Sequence, residues 1–229
     1  MKILSTYLCL LTMLISFSSK AQVNLDSLWS VWNDKTQSDT SRLKAMNQIA
    51  SNVYMFTQPD SAFYFAQMGY DLAKSVNNKK WMGTSLTVQG LSLMNQGNYK
   101  KALEYYSKGL AIKKELDDKK GMATSYNNIG NIYWNQANYE KALEYHSKSL
   151  AIEEELGDKR GISKSYNNIG VIYQNQGNYE KALEYYSKSI AIKKEIDVLA
   201  GAEYFNMALI LLEQNNLNEA LISFHKVEK

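Results

Sequence analysis

The sequence predicts an all-α fold: a right-handed α-solenoid of stacked helix-turn-helix hairpins. Three observations predict it. Ala50, Gly90, Gly130 and Gly170 stand 40 residues apart, as do Ala62, Ala102, Ala142 and Ala182. Apolar and small positions inside each repeat recur with helical spacing. Gly-Asn and Ala-Asn pairs and Gly- and Asp-rich clusters fall between those runs. Self-similarity at such a period means an array of supersecondary units, each unable to bury its apolar face alone.

Each unit reads as two helices. In the first, Tyr126, Ile129, Gly130 and Tyr133 share one face; in the second, Tyr139, Ala142, Leu143, His146, Leu150 and Ile152 do the same. Ala137-Asn138 and the Gly-Asn pairs of neighbouring units punctuate the middle. Asp117-Asp118-Lys119-Lys120-Gly121 and Gly157-Asp158-Lys159-Arg160-Gly161 punctuate the ends. Small residues at Gly130 and Ala142 let two helix axes cross closely. Glu104/Lys108, Glu144/Lys148 and Glu184/Lys188 are i,i+4 pairs in the favoured order, which puts that side of the second helix in water. The charge runs Glu153-Glu154-Glu155 and Lys193-Lys194 read as part of the same wet face. A fifth unit aligns through Ala208 and Ala220 after a 38-residue spacing. Its second helix is expected to run through Leu221, Phe224 and Val227, which leaves that hairpin open or continued by further chain.

Residues 1–21 read as an export signal. Met1-Lys2 gives a positive start, Ile3 to Phe17 is an apolar run, and Ser19-Lys20-Ala21 presents small residues for cleavage before Gln22. The run is shorter than the ~20 residues that span a bilayer. An exported, periplasmic or otherwise extracytoplasmic location follows, and the mature segment is not expected to insert in a membrane. Cys9 is the only cysteine, so the mature chain has no disulfide, thiol nucleophile or thiolate metal site. Leu25 to Trp32 reads as a short amphipathic helix capping the array. The organisation is therefore 1–21 signal, 22–41 capping helix and linker, and 42–229 repeats, in units of about 42–80, 81–120, 121–160, 161–198 and an incomplete 199–229.

Composition excludes several functions. The chain of 229 residues carries 26 Lys+Arg against 23 Asp+Glu. Lys2 and Lys20 belong to the signal, so the mature balance is 24 to 23, which gives no electrostatic footprint for nucleic acid. No phosphate-binding glycine loop, nucleophile elbow or metal-ligand spacing occurs, so no catalytic residue, cofactor or metal is assigned. His146 stands where sister units have Tyr106 and Tyr186, as a packing substitute or as a pH sensor. His225 reads as solvated.

At Tyr126, Ile129, Gly130, Tyr133, Ala137, Tyr139, Ala142, His146 and Ser149 the chain resembles the tetratricopeptide repeat family, over about residues 42–229. The 40-residue period resembles the long-repeat class found in kinesin light chain and in bacterial sensor and regulator proteins. The first unit has Pro59-Asp60-Ser61-Ala62 in place of Gly-Asn-Tyr. With Asp39-Thr40-Ser41-Arg42-Leu43-Lys44, that unit is similar to exported bacterial repeat regions that precede a transmembrane helix and a histidine kinase or nucleotide cyclase domain. The resemblance implies a concave groove lined by the first helix of each unit. Its positions here are Lys44, Asn47, Ser51 and Tyr54; Thr87, Leu91, Met94 and Asn95; Thr124, Asn127, Asn131, Trp134 and Asn135; and Lys164, Asn167, Val171, Gln174 and Asn175.

Asn offers an acceptor and two donors, so Asn127 and Asn167, with Asn47 in register, can pair with the backbone of an extended peptide. Trp134, Tyr54, Met94 and Leu91 add apolar anchors of the kind that dominate binding. The same residues also serve simply as a soluble helix face. Lys44 and Lys164 are the only cations at these positions, so an internal or neutral peptide is expected rather than a clamped carboxylate.

Three readings remain for the chain. The first is a non-enzymatic, extracytoplasmic sensing scaffold that binds protein or peptide and signals to a C-terminal output module. The second is a free-standing periplasmic adaptor. The third is the amino-terminal part of an enzyme, a histidine kinase or adenylate/guanylate cyclase, whose catalytic domain lies beyond residue 229.

Overall fold

The structure, a computed structural model, describes residues 24–227; the expected signal and Cys9 lie outside the described residues. Eleven α-helices and no strand occur among them. The chain divides into two compact units, one ending at Asn98 and the other beginning at Tyr99.

The first unit holds α1 (Leu25–Asn33), α2 (Asp39–Gln48), a π-helical segment (Ile49–Tyr54), α3 (Pro59–Ser75) and α4 (Lys79–Asn95). Helix α1 docks through its aromatic side chains. Trp29 meets Phe65 edge-on at 5.4 Å, and the Arg42 guanidinium lies 5.3 Å over Trp32 while its Nε donates to the Trp32 carbonyl at 3.0 Å. Behind them, Ala50, Met55, Ala62, Ala66 and Val88 form a buried cluster.

The second unit holds α5 (Tyr99–Glu115), α6 (Lys119–Asn135), α7 (Tyr139–Leu156), α8 (Lys159–Asn175), α9 (Tyr179–Glu195), α10 (Gly201–Glu213) and α11 (Leu217–His225). Each packs on the next, with α6 against α7 and α8 against α9 as the tightest hairpins. The boundaries follow from local chemistry. Asp118, Asn138, Asp158, Asn178 and Asn216 each cap a helix by accepting the N–H three residues on. Helices end on a left-handed residue that turns the chain back. Gly177 (φ 73°) serves after α8, but Ala137 (φ 55°) occupies the matching place after α6. The final helix closes at His225, so Val227 lies in a turn rather than in the helix as expected, and His225 is exposed.

The hairpins close around small residues, as their spacing requires. Ala142 and Ala182 are fully buried, and a Cβ added at Gly170 would come within 2.7 Å of the Tyr186 ring. On the opposite side Tyr133 stacks on Tyr145 and Tyr173 on Tyr185, both at 5.5 Å, with Lys148 and Lys188 over the rings. Those lysines also make the expected pairs, Lys148 to Glu144 at 2.5 Å and Lys188 to Glu184 at 2.6 Å.

Two charges read as solvent-facing turn inward instead, Glu153 fully buried and Lys193 half-buried. Glu153 accepts from Ser149 at 3.0 Å and from Ser165 at 2.6 Å, and Ser149 also reaches the Ala123 carbonyl at 2.8 Å. One repeat on, Ser189 donates to Glu203 at 2.7 Å and Lys193 donates to the same carboxylate at 2.8 Å. The reason is periodic: Ala142, His146, Ser149 and Glu153 form one stripe at helical spacing, so Glu153 continues the buried face. Each carboxylate is held by several donors, as a buried charge requires. At the equivalent place on α5, Lys113 donates to Ser125 at 2.8 Å, and burial lowers its pKa to about 8.

Candidate functional site

In the second unit, depressions open along the first helix of each hairpin. Between α6 and α8, Asn127, Glu153, Asp158 and Lys164 help line one of about 140 Å³. Asn131, Trp134, His146, Asn168 and Val171 line a second of about 160 Å³, and Trp134 is exposed there. Between α8 and α10, Arg160, Lys164, Asn167, Lys193, Ile196 and Val198 help line a third of about 340 Å³.

The polar floor of this face is incompletely paired. The side-chain oxygens of Asn127 and Asn167, in register on α6 and α8, are buried and find no donor among the described residues. Asn47 shows the same condition in the first unit. An unmatched buried acceptor costs about 1–3 kcal/mol, so three at one repeat position make a consistent exception to polar satisfaction.

The other sequence-predicted residues divide by environment. Thr124, Asn135, Asn175 and Lys164 are exposed, Asn131 and Val171 half-buried. Gln174 accepts from the Tyr186 hydroxyl at 2.6 Å and Asn175 donates to the Val171 carbonyl at 2.8 Å, so both are engaged within their own repeat. Asn127 is only 3% exposed, its amide nitrogen 3.5 Å from His146 Nδ1, so it forms the floor of the face and not its surface.

In the first unit Lys44 is exposed, Met94 half-buried, and Thr87 donates to the Gly83 carbonyl. Ser51 donates to the Asn47 carbonyl, and Asn95 donates to the Met55 carbonyl at 3.1 Å, completing the end of the π-helical segment. Tyr54 and Leu91 are half-buried and pack on the Ala50–Met55–Ala62 cluster, Tyr54 with its ring 5.0 Å from Phe65.

His146 is 1% exposed, and burial followed by the charge of Lys164 lowers its pKa to about 4. It is neutral near pH 7 and packs where Tyr106 and Tyr186 pack. Sequence reasoning missed Arg160 and Lys193 as lining residues. Arg160 stands one turn before Lys164 on α8, a spacing legible in the sequence; Lys193 reaches the cavity from α9. Among the described residues no group of three or more His, Cys, Asp or Glu side chains gathers, and no helix is long and apolar enough to cross a membrane.

Stacked helical hairpins with a row of polar depressions along their first helices define a helical-repeat scaffold. The model of the tetratricopeptide repeat matches residues 81–155, 121–195 and 161–227, and the chain belongs to that family. Comparison with curated proteins returns no match. Among solved structures the chain is similar to BtubC (BKLC) from P. vanneervenii, at 16% identity and a TM-score of 0.73, over 89% of this chain and 85% of that one. It is similar to the apo form of RapI, at 18% identity and a TM-score of 0.66, over 96% and 95%. A Rap protein complexed with Competence and Sporulation Factor matches at 16% identity and a TM-score of 0.65, over 84% of this chain and 64% of that one. At these identities the likeness shows the fold.

Proposed function

We propose that this chain is a non-enzymatic scaffold that binds an extended segment of peptide or protein along the first helices of its repeats. We further propose that it is the extracytoplasmic sensing region of a bacterial signal-transduction protein. The unmatched buried oxygens of Asn127 and Asn167 carry the binding reading. They repeat at a spacing of one unit on residues that line the depressions, and turning the side-chain amide towards the depression lets a peptide N–H supply the donor they lack. Trp134, in the depression it shares with Asn131 and Asn168, offers an aromatic anchor. A Rap protein of similar fold complexed with Competence and Sporulation Factor is consistent with ligand binding by this architecture. The sensing reading rests on the export signal at residues 1–21 and on the resemblance of the first unit.

The test is selection of peptides from a random displayed library against the full chain, followed by calorimetry with Asn167→Ala. Two hydrogen bonds to a peptide amide at about 1 kcal/mol each make a loss of roughly 30-fold in affinity. The unfolding free energy should hold or rise, because the substitution deletes an unmatched acceptor. Equal affinity in the variant would remove the amide-pairing mechanism. Expression of a fusion carrying residues 1–21 with an export-dependent reporter tests the location; retention in the cytoplasm would contradict the sensing reading.

A further inference from the structure

We propose that the depression beside Trp134 is a binding site for a phenol, with the ring lying on the Trp134 indole and its oxygen taken by the Asn168 side chain. The site goes beyond the groove reading. It is made by one side chain of a second helix, His146 on α7, and takes its ligand whether or not a peptide lies along the first helices.

The next unit shows what the His146 unit lacks. There Tyr186 on α9 stands in the place of His146, and its hydroxyl donates to Gln174 on α8 at 2.6 Å and accepts from Asn206 on α10. The hydroxyl is thus clasped between the first helices of two successive units. In the His146 unit the matching residues are Trp134 on α6 and Asn168 on α8. An imidazole has no atom where the phenol carries its oxygen. Two consequences appear together. Asn168 Nδ2 is buried with no acceptor among the described residues, and a depression of about 160 Å³ opens among Asn131, Trp134, His146, Asn168 and Val171.

The departure is confined to two positions that meet. The text from Asn138 to Tyr145 recurs from Asn178 to Tyr185 without a change, so the exchange of tyrosine for His146 stands out. The exchange of glutamine for Trp134 is its counterpart on the first helix. The first removes a phenol from the hairpin, and the second supplies an indole on which another ring stacks.

Size and chemistry name the ligand. A cavity of about 150 Å³ holds a benzene ring. Trp134 keeps 38% of its surface exposed, area that a stacked ring would cover, and Val171 adds methyl groups to the wall. The unmatched donor of Asn168 requires an oxygen, which a wholly apolar ligand does not bring. That oxygen is neutral: among the described residues no Lys or Arg lines the depression, and His146, with its pKa lowered to about 4 by burial, is uncharged near pH 7. Asn131, half-buried in the same wall, has an amide oxygen for the phenol's own proton. Two sources carry this chemistry, the tyrosine of a ligand chain and a free phenolic compound.

Titration of the full chain with p-cresol, read by NMR shifts of the Trp134 indole and the Asn168 side-chain amide, tests the site. The expected result is saturable binding, with toluene about fivefold weaker, the worth of one neutral hydrogen bond. In Asn168→Ala the two probes should bind alike. His146→Tyr returns the sister hydroxyl to the depression and should weaken p-cresol by roughly tenfold or more, because the volume is then filled. Trp134→Gln, at an exposed position, should weaken it as well and serves if the first variant loses helix by circular dichroism. N-acetyl-tyrosinamide separates the sources. Binding like that of p-cresol supports a tyrosine of a ligand chain, and binding of p-cresol alone supports a free phenolic compound. Absence of a saturable shift, equal binding of toluene and p-cresol to the parent, or full binding to a folded His146→Tyr chain would overturn the site. Selected peptides that bind a chain indifferent to p-cresol would overturn the phenol site and leave the groove reading. Binding of p-cresol by a chain that selects no peptide would do the reverse.

Discussion

Replacing Glu203 by Gln preserves the shape of the side chain and the hydrogen bond from Ser189, but removes the charge that holds Lys193. The parent carboxylate is 1% exposed, and its ammonium partner, at 2.7 Å, belongs to a side chain 18% exposed. Deleting one member of a fully buried pair costs about 3–5 kcal/mol, since the other is left uncompensated. Partial access of Lys193 to water discounts this, and the expected loss is about 2 kcal/mol. Urea unfolding followed by helical circular dichroism reads it as a lower midpoint. Because repeat arrays unfold in part by unit, the loss should appear in the transition of the α8–α11 hairpins. The double variant Glu203→Gln with Lys193→Met removes the stranded charge and should recover at least half of the loss. A single variant within about 0.5 kcal/mol of the parent, or a double variant no better than the single, would refute the buried ionic node.

Ala137 holds φ at 55°, where Gly97 and Gly177 stand in the neighbouring units. Ala137→Gly relieves a left-handed strain of about 1–2 kcal/mol, less the added freedom of the unfolded glycine, so thermal melts should show a net gain near 1 kcal/mol. The pKa of His146 falls from 6.5 unfolded to about 4 folded. Its contribution is complete above pH 6.5 and is lost as pH falls, because the unfolded chain takes up a proton that the folded one excludes. Between pH 6.5 and 5 the loss should be about 2 kcal/mol at ~1.4 per unit, visible in urea midpoints. His146→Tyr, the residue of its sister repeats, should flatten that window; an unchanged slope would contradict the assignment.

The fold was legible because its determinants are local and repeated. Small residues at Gly130 and Ala142, cap residues at Asn138 and Asp158, and the aromatic stripe each act within one hairpin, and the copying of the text announces them. Buried Glu153 and half-buried Lys193 were misread because runs of like charge suggest solvent. Their helical phase with Ala142 and Ala182 pointed inward, but only the facing Ser165 and Glu203 show what pairs with them. The π-helical turn at Ile49–Tyr54 was not legible, because nothing in those residues marks it. The depression beside Trp134 depends on His146 leaving Asn168 unmatched, a relation that exists only once α6, α7 and α8 are brought together.

The central claim is that ligand lies along the first helices of the second unit. Side-chain and amide NMR shifts of the full chain on addition of a selected peptide test it most directly. The account predicts perturbation of the Trp134 indole, the Asn167 amide group and the Arg160 and Lys164 side chains. Shifts confined to the Tyr133–Tyr145 and Tyr173–Tyr185 stacks, or to exposed Leu221 and Ile222 on α11, would contradict it.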